Sequence, residues 1–545
     1  MDTFKTETDD GKPKLIGDCA FVGNLQSIPV HGFGLVVGLP GTGGEDANTF
    51  HYRWVTNELN RQKITGIRAL LARPDTAVVE IRGQMRPGIQ EGDRFDVQIL
   101  LPPDTATKSL RGGILTKTKL VEMASFGGDL RTSETRATVE GPIMVRDPLA
   151  TESGNPGGLK EGSILSGAIT AKSRALSLVM KDDSKLIFVA DRIAKAVNHR
   201  FYQSSGQRKE IAVAETDSLV IFNIHPTYAN DVHRYVRVVQ SIACFETTTQ
   251  QIQRIERLKG EILHPDTAQN AAFQLEAIGR AGIAPLQQAL NSPKVEVRFH
   301  AATSLAYLGD GTSAKVLADI ARTEPAFRVY ALNALSVMKN DLDAEYHLQE
   351  LLHVPSAETR YGAFRALKIR NPLDPTIRGE TPGGQFSYHR ITSQTVPMVH
   401  ITSQQYPEIV LFGTDIVLRQ PFTLDAGATI YVNGQTPGRV VISNVANTTG
   451  IDPKREVSNR LDDIIRAVVD MGGAYPDVVQ MLRQADRARV LSCRLEMDCL
   501  PESNRVYRRS GDDSALDEEE EVEEKPKTFW ERMNPRNLFS SSTSE

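Results

Sequence analysis

The sequence predicts a mixed α+β fold: a β-rich core with an all-α solenoid inserted into it. Three observations predict this. Short apolar runs bounded by glycine- and proline-containing turns recur between Ile16 and about residue 243, and again after residue 385. Between them, aligning Ala271, Ala301, Ala331 and Ala363 also aligns Leu275, Leu305, Leu335 and Leu367, at spacings of 30, 30 and 32 residues. A fixed period of this length marks stacked helical pairs. Lastly, the chain from Ser503 onward is low in apolar residues and carries the acidic run Asp517 to Glu521, a composition that does not build a core.

These observations divide the chain into a disordered leader (1–15), an α+β core (16–245), a solenoid (246–370), a linker (371–384), a second α+β part (385–502) and an acidic disordered tail (503–545). A length of 545 residues accommodates several domains. The composition, 40% hydrophobic and 24% charged, is that of an ordinary globular protein. A net charge of −5 argues against a general nucleic-acid coat. No apolar run reaches the roughly 18 residues needed to span a bilayer.

The first core element centres on Gly32-Phe33-Gly34-Leu35-Val36-Val37-Gly38-Leu39, followed by Gly41-Thr42-Gly43-Gly44. Six glycines in this stretch suggest a phosphate loop, but that loop ends in Lys and a hydroxyl residue. Here Gly44 and Glu45 follow Gly43. The dinucleotide pattern also fails, because one residue too many separates Gly34 from Gly38. A buried strand flanked by tight turns and close backbone contacts explains the glycines without a ligand.

Strands are expected at Ala77 to Arg82 and Arg94 to Leu101. Phe95, Val97 and Ile99 alternate there with Arg94, Asp96 and Gln98. Lys108-Ser109-Leu110-Arg111-Gly112-Gly113 forms a glycine-ended turn before the extended run Ile114 to Val121. Lys117 and Lys119 share a face of that run, and with Lys108 and Arg111 they make a basic cluster in an acidic protein. Such a cluster is either a solvated face or a docking face for an acidic surface. Residues 146–163 read as a loop, Ala175 to Met180 as a strand, and Ile193, Val197 and Phe201 as a helical stripe. Ser218 to Ile224 reads as a strand. A helix capped by Asn230 follows, with the stripe Val232, Tyr235, Val236 and Val239.

In the solenoid, Arg298, Arg328 and Arg360 each precede a repeat alanine by three residues. These repeats, including Ala302-x-x-Leu305-x-x-Leu308-Gly309, resemble HEAT repeats. An array of this kind exposes an extended surface and so implies partner binding. After the linker, Ile409 to Leu418 and Ala428 to Ile442 read as β. Leu461 to Val469 forms a helix stopped by Gly472-Gly473, Pro476 and Asp477 open a second helix, and Val490 to Met497 is the last strand. In the tail, Phe529, Trp530, Met533, Leu538 and Phe539 could form a short docking motif.

No catalytic constellation emerges. The eleven histidines include no His-x-x-x-His, Gly-x-Ser-x-Gly is absent, and no cofactor or metal site is expected. The reading is therefore not an enzyme. Four cysteines are too few for a disulfide framework. Cys493 and Cys499 are near enough in sequence to pair if extended strands meet there, while Cys19 and Cys244 read as small core residues.

Taken together, the β-rich parts resemble the bacterial flagellar P-ring protein family. The resemblance rests on Ile16-Gly17-Asp18 with Ala20 and Val22, and on the glycine signature Gly32, Gly34, Gly38, Gly41 and Gly43. It extends through Gly92-Asp93-Arg94-x-Asp96-Val97, Lys108 to Gly113, and Ala190-x-x-Ile193-Ala194-x-Ala196-Val197-Asn198. More loosely it includes Asp462 to Leu482 and Leu491 to Met497. It implies a β-rich ring subunit that assembles with itself in the periplasm as a bushing around the flagellar rod, near peptidoglycan and the outer-membrane ring. Basic residues would face the acidic rod, at positions matching Lys108 and its neighbour Arg111 and, more distantly, Arg73. Gly112 and Gly113 belong to the same motif. No nucleic acid is implied.

Three departures stand beside the resemblance. Residues 1–15 lack the apolar middle of a secretory signal, which is consistent with a mature chain, a misassigned start, or a paralogue retained inside the cell. The solenoid is expected to project as an accessory arm toward an unknown partner. The acidic tail lies beyond the family pattern. An alternative reading is a HEAT-repeat adaptor or scaffold that retains a P-ring-like core.

Overall fold

The computed structural model describes residues 6–8, 12–44, 50–61, 63–103, 105–126, 129–149, 156–201, 210–445, 453–503 and 505–507. After the short helix α1 (Ile16–Cys19) and strand β1 (Ala20–Gly23) comes β2 (Ile28–Val37), which carries the first glycines. Helices α2 (Phe50–Arg61) and α3 (Ile67–Leu71) precede β3 (Thr76–Met85), β4 (Arg94–Leu100), β5 (Ile114–Phe126), β6 (Asp129–Pro142), β7 (Met144–Val145) and β8 (Glu161–Thr170). These strands run β4-β3-β2-β5-β6-β8-β7, and an added β4–β8 pairing closes the sheet into an antiparallel barrel. Closure removes two sheet edges that would otherwise need covering.

Alternation along β2 serves two layers at once. Val30 and Val36 join Val79, Ile81, Val97, Ile99, Leu120 and Ile164 in the barrel interior. Phe33 and Leu35 point out, under Val55 and Leu59 of α2 and Ile67 and Leu71 of α3. Gly34 lies on the inward face. A Cβ there would come within 2.6 Å of Thr118 Oγ1 and 2.8 Å of Leu115 Cδ1, so its bareness lets β5 pack against β2.

Next come β9 (Leu176–Met180), α4 (Ile187–Arg200), β10 (Ala212–Ala214), β11 (Leu219–Phe222) and α5 (Val232–Gln240). The antiparallel sheet runs β1-β9-β11-β10. One face buries Leu178, Val220 and Phe222 with Ile193, Val197 and Phe201 from the predicted helical stripe, and with Tyr235 and Val239. Asp231, not Asn230, caps α5, accepting from Arg234 N at 2.9 Å. The predicted leader is ordered in part. Lys14 N donates to Thr6 O at 3.1 Å, Leu15 bridges Ala243, and Ile16 N donates to Ile242 O at 2.8 Å. Its backbone is thereby paired with the residues that follow α5.

The solenoid comprises α6 (Thr248–Glu261), α7 (Pro265–Ile278), α8 (Ile283–Ala289), α9 (Val295–Leu308), α10 (Ala314–Thr323), α11 (Arg328–Val337), α12 (Leu342–Leu351) and α13 (Ala357–Arg370). The aligned alanines and leucines fall on α7, α9, α11 and α13, and all eight are buried. Two of the repeated arginines hold carbonyls just before their own helix: Arg298 Nη1 donates to Ser292 O at 2.8 Å, and Arg328 Nε to Ala321 O at 2.9 Å. They satisfy acceptors left over at helix ends. Arg360, in the last repeat, instead reaches forward to Val396 O at 3.0 Å.

This segment is not a free arm, because both of its ends are built into the rest of the protein. At one end Glu276 of α7, fully buried, pairs with Arg234 of α5 and accepts from Tyr228 Oη at 2.7 Å. At the other end Tyr361, Arg365 and Lys368 of α13 converge on Glu408, also fully buried. One continuous apolar core runs from Ile16 through the solenoid to Phe412.

The remaining strands are β12 (Gly379–Glu380), β13 (Ser387–Ile391), β14 (Met398–Ile401), β15 (Glu408–Phe412), β16 (Phe422–Ala426), β17 (Ile430–Thr436), β18 (Arg439–Asn444) and β19 (Lys454–Ser458). Helices α14 (Leu461–Asp470) and α15 (Tyr475–Arg487) follow, then β20 (Arg494–Met497). A mixed sheet runs β12-β13-β15-β14-β20 and an antiparallel meander β16-β17-β18-β19. The two helices pack with both sheets, burying Ile464, Val468, Val478 and Leu482. Asp477 opens α15 as expected, accepting from Ala474 N at 2.8 Å. The expected acidic run and aromatic motif of the tail lie outside the described residues. Among the described residues, no helix is long and apolar enough to cross a membrane.

Candidate functional site

The chain leaves β2 into the loop Leu39–Gly44, which is zipped between two neighbouring turns. On one side Leu39 N donates to Asp75 O at 3.0 Å, Gly43 N to Pro74 O at 2.8 Å and Gly44 N to Thr76 O at 2.8 Å. On the other side Lys108 N donates to Thr42 O at 2.9 Å, Thr42 Oγ1 to Ser109 O at 2.8 Å and Thr107 Oγ1 to Gly44 O at 3.2 Å. Gly43 sits so close to the first turn that a Cβ would lie 2.1 Å from Thr76 O. No side chain fits there without parting the zipper.

The glycine loop therefore brings Arg73 and Lys108, 35 positions apart in sequence, onto turns that flank a single loop. Gly38, Gly41 and Gly112 take positive φ within these turns. Gly32 lies on the inward face of β2, where its Cβ would meet Lys119 O at 2.7 Å. Gly113 is buried against Val36 and Leu110. Three of the loop's backbone amides, those of Leu39, Gly43 and Gly44, thus donate to the first turn, and that of Gly41 donates back to Leu39 O at 2.9 Å.

The five basic side chains differ in what they already hold. Arg73 is exposed but grips Asp75 with two parallel bonds, Nε–Oδ1 at 2.8 Å and Nη2–Oδ2 at 2.6 Å. Lys119 pairs with Glu58 of α2 at 2.9 Å. Arg111 is half-buried and turned inward, donating from Nη2 to Gly427 O at 2.6 Å in the β16–β17 turn. It ties the barrel to the C-terminal part and is the least available of the predicted contact residues. Lys108 is exposed, with its backbone locked and its ammonium facing solvent. Lys117 is exposed on the same face of β5 as Lys119.

Sequence reasoning missed Thr42 and Thr107, the hydroxyls that fasten the loop. Threonine set between Gly41 and Gly43 was the available signal for the first, since a short hydroxyl side chain bonds nearby backbone readily. Among the described residues, no group of three or more His, Cys, Asp and Glu side chains is arranged to hold a metal ion.

Comparison with known proteins gives two matches of family models. Residues 15–263 match a family described as flagellar P-ring protein, and residues 261–336 match HEAT repeats. The flagellar P-ring protein of Geobacter metallireducens is 29% identical over 227 residues, covering 41% of this chain and 59% of the relative. That of Geobacter sulfurreducens is 28% identical over 235 residues, covering 41% and 58%. That of Helicobacter pylori strain P12 is 26% identical over 182 residues, covering 33% and 48%. The chain thus spans about half to three-fifths of the length of these curated relatives. The family match takes in the barrel with its glycine loop, the four-stranded sheet and α6. The looser resemblance after residue 385 lies beyond it. The chain is similar to the flagellar P-ring protein family over residues 15–263, with HEAT repeats set directly after them.

Proposed function

We propose that this chain is a subunit of a flagellar P ring, assembling with itself in the periplasm as a bushing around the rod, where peptidoglycan and the outer-membrane ring are its neighbours. One observation carries the reading: the P-ring match covers the whole barrel, including the zipped glycine loop that sets Lys108 at the surface. A closed ring needs head-to-tail interfaces, in which two different faces of each subunit meet. Lys108 supplies positive charge toward an acidic rod surface, with Lys117 on the same barrel strand that Lys119 shares. Arg73, already matched by Asp75, contributes less, and Arg111 acts chiefly as an internal tie. The ring role is structural, with no reaction assigned to it.

The test is to purify hook–basal bodies from cells carrying the tagged chain. Recovery of the chain as part of a ring around the rod is expected. Basal bodies with complete rods that lack the chain, while it remains in another fraction, would overturn the ring reading. Lys108→Glu is expected to lower the fraction of rings retained on rods, more strongly at low salt, because exposed charge contacts are screened. Wild-type retention by that variant would remove the basic contact and leave the ring itself standing.

The HEAT match favours a second reading, an adaptor that binds partners along its solenoid. Under that reading the chain would copurify with a partner in cells that have no basal bodies.

A further inference from the structure

The large apolar side chains that the solenoid leaves exposed gather on its first and last helical pairs. Ile252 on α6 and Leu263 just past its end are 58% and 50% exposed, and Leu342 and Tyr346 on α12 are 79% and 58% exposed. Among the described residues from 264 to 329 no large apolar side chain is exposed. Tyr330 of α11 is the one other case in the array, and its hydroxyl donates to Ser503 O at 2.9 Å. Helices α8 and α10 instead turn Ala284, Gln288, Lys315 and Asp319 to solvent. Each repeat of a solenoid buries its apolar surface only against a neighbour, so a solitary array needs polar faces at both ends. Neither end of this one has such a face.

The two ends differ in shape. On α6, Ile252, Glu256 and Gly260 recur at four-residue spacing, opposite the buried Arg254 and Leu258. Gly260 is the member that the folded chain does not explain. Glycine weakens a helix relative to alanine, yet nothing lies within 4 Å of the place its Cβ would occupy. Gly362, within α13, shows the ordinary reason for such a glycine, since a Cβ there would come within 2.5 Å of Leu332 Cδ1. On α12, Leu342 and Tyr346 share the outward face, opposite the buried Ala344 and Leu348. One end thus offers a gap between two apolar side chains, and the other an exposed aromatic ring.

Charge decides which faces can meet. Helix α12 turns Asp343 and Glu350 to solvent and carries no Lys or Arg, so two copies of it would repel each other. The charges of α6 are matched within the helix, Arg257 with Glu261 at 3.0 Å and Lys259 with Glu256 at 3.9 Å. An acidic helix can therefore approach α6 without facing unpaired carboxylates of that helix.

We infer that α12 of one copy packs against α6 of the next, with Tyr346 seated over Gly260 between Ile252 and Leu263, so that the solenoids continue from subunit to subunit. The contact is heterologous: each copy gives one face to the neighbour ahead and a different face to the neighbour behind. It names two faces for the head-to-tail contact that the ring reading requires, and rests on that reading only in needing copies of the chain to meet. One helix against another buries less than the roughly 1,000 Å² of a stable interface. The contact is therefore weak between free chains and gains strength in a closed assembly, where neighbours are held together.

The test uses purified full-length chain with the photoreactive residue p-benzoylphenylalanine in place of Tyr346. It is mixed with isotope-labelled wild type at about 100 µM, so that a weak contact is occupied, and irradiated. A covalent dimer is expected, with linked peptides joining residue 346 to labelled residues 248–264. Gly260→Gln in both chains favours the helix, so it should keep or raise the melting temperature while cutting the dimer yield roughly tenfold. Wild-type yield from that variant, a link from residue 346 to any other part of the second copy, links within one chain only, or no dimer at all would each overturn the inference. Hook–basal bodies separate this from the ring reading. Chain recovered there, with dimers linked elsewhere, sinks the contact and leaves the ring standing. The expected link, with the chain absent from basal bodies, leaves the contact standing and sinks the ring.

Discussion

Asp96 joins the barrel to the loop between β14 and β15. Its Oδ1 accepts from Ser166 N at 2.7 Å and its Oδ2 from Gln405 N, while Ser166 Oγ donates to Gln405 O at 2.5 Å. Ser166 and Gln405 both hold positive φ, 48° and 64°, a conformation that non-glycine residues adopt at a cost. Burial raises the Asp96 pKa to about 6, against the two backbone bonds that lower it, and the nearby Asp498 carboxylate adds to the rise. The ordinary value of 3.8 applies when the chain is unfolded, so the folded chain binds this proton more tightly than the unfolded one. The Asp96 contribution therefore increases stability as pH falls through 6 toward 3.8, and is lost again above 6. A group still partly open to solvent should show no more than about 2 kcal/mol of this. Urea midpoints of wild type and Asp96→Asn, measured between pH 4 and 7.5, should differ by an amount that changes across that window. Parallel midpoints would refute the assignment. Asp231, Asp477 and Asp498 are also shifted upward by burial, which is why the difference between variants, and not the wild-type curve, carries the result. Nothing in the run Phe95 to Ile99 foretells this role, since alternation marks Asp96 only as an outward residue.

Among the elements, the solenoid helices were legible and their attachment was not. Ala271, Ala301, Ala331 and Ala363 recur because each lies where neighbouring helices approach closely, and that period survives in a single sequence. Glu276 and Arg234 carry no such period. A carboxylate on a helix reads as solvated until the facing helix is known. Likewise α2 was missed because it buries little more than Val55 and Leu59. Strand β6 was missed because, among its described side chains, Ala137 and Val139 alone reach the core, too few to set an alternating pattern. The buried pair makes the attachment measurable. Glu276→Ala leaves Arg234 buried beside Tyr307 and Ser304 without its counter-ion. Breaking one side of such a pair costs about 3–5 kcal/mol, whereas Glu276→Leu with Arg234→Met should lose much less. Chemical denaturation of the three proteins gives the comparison. Equal losses for the single and double variants would mean that the pair does not tie α5 to α7.

At the scale of the whole molecule, sequence reasoning identifies the parts and the structure changes how they relate. A solenoid joined only by its chain ends could be removed and the flanking parts rejoined with little loss. Here the apolar core passes from the four-stranded sheet through Phe299, Leu317 and Leu335 to Met398 and Phe412 without a break. At the far junction, Lys368, Arg365 and Tyr361 bring their polar groups to Glu408, while Tyr361 stacks on His400 with centroids 3.5 Å apart. Burial holds the His400 pKa down to about 3, so this ring is neutral at physiological pH. Removing the helices would leave Glu408 without Arg365 and Lys368 and strip cover from Tyr228, stacked on Tyr307, and from Phe412, under Arg360. The expectation is therefore that a chain lacking residues 246–370, rejoined by a flexible linker, fails to unfold cooperatively and binds a hydrophobic dye that the intact chain excludes. Full-length protein should unfold up to residue 503 in one transition, followed alike by far-ultraviolet dichroism and tyrosine fluorescence. If the shortened chain melts sharply and excludes the dye, the solenoid is an accessory after all, and the shared core does not set stability. If it collapses, the HEAT repeats are a structural part of the subunit, and any ring built from it carries them in its wall.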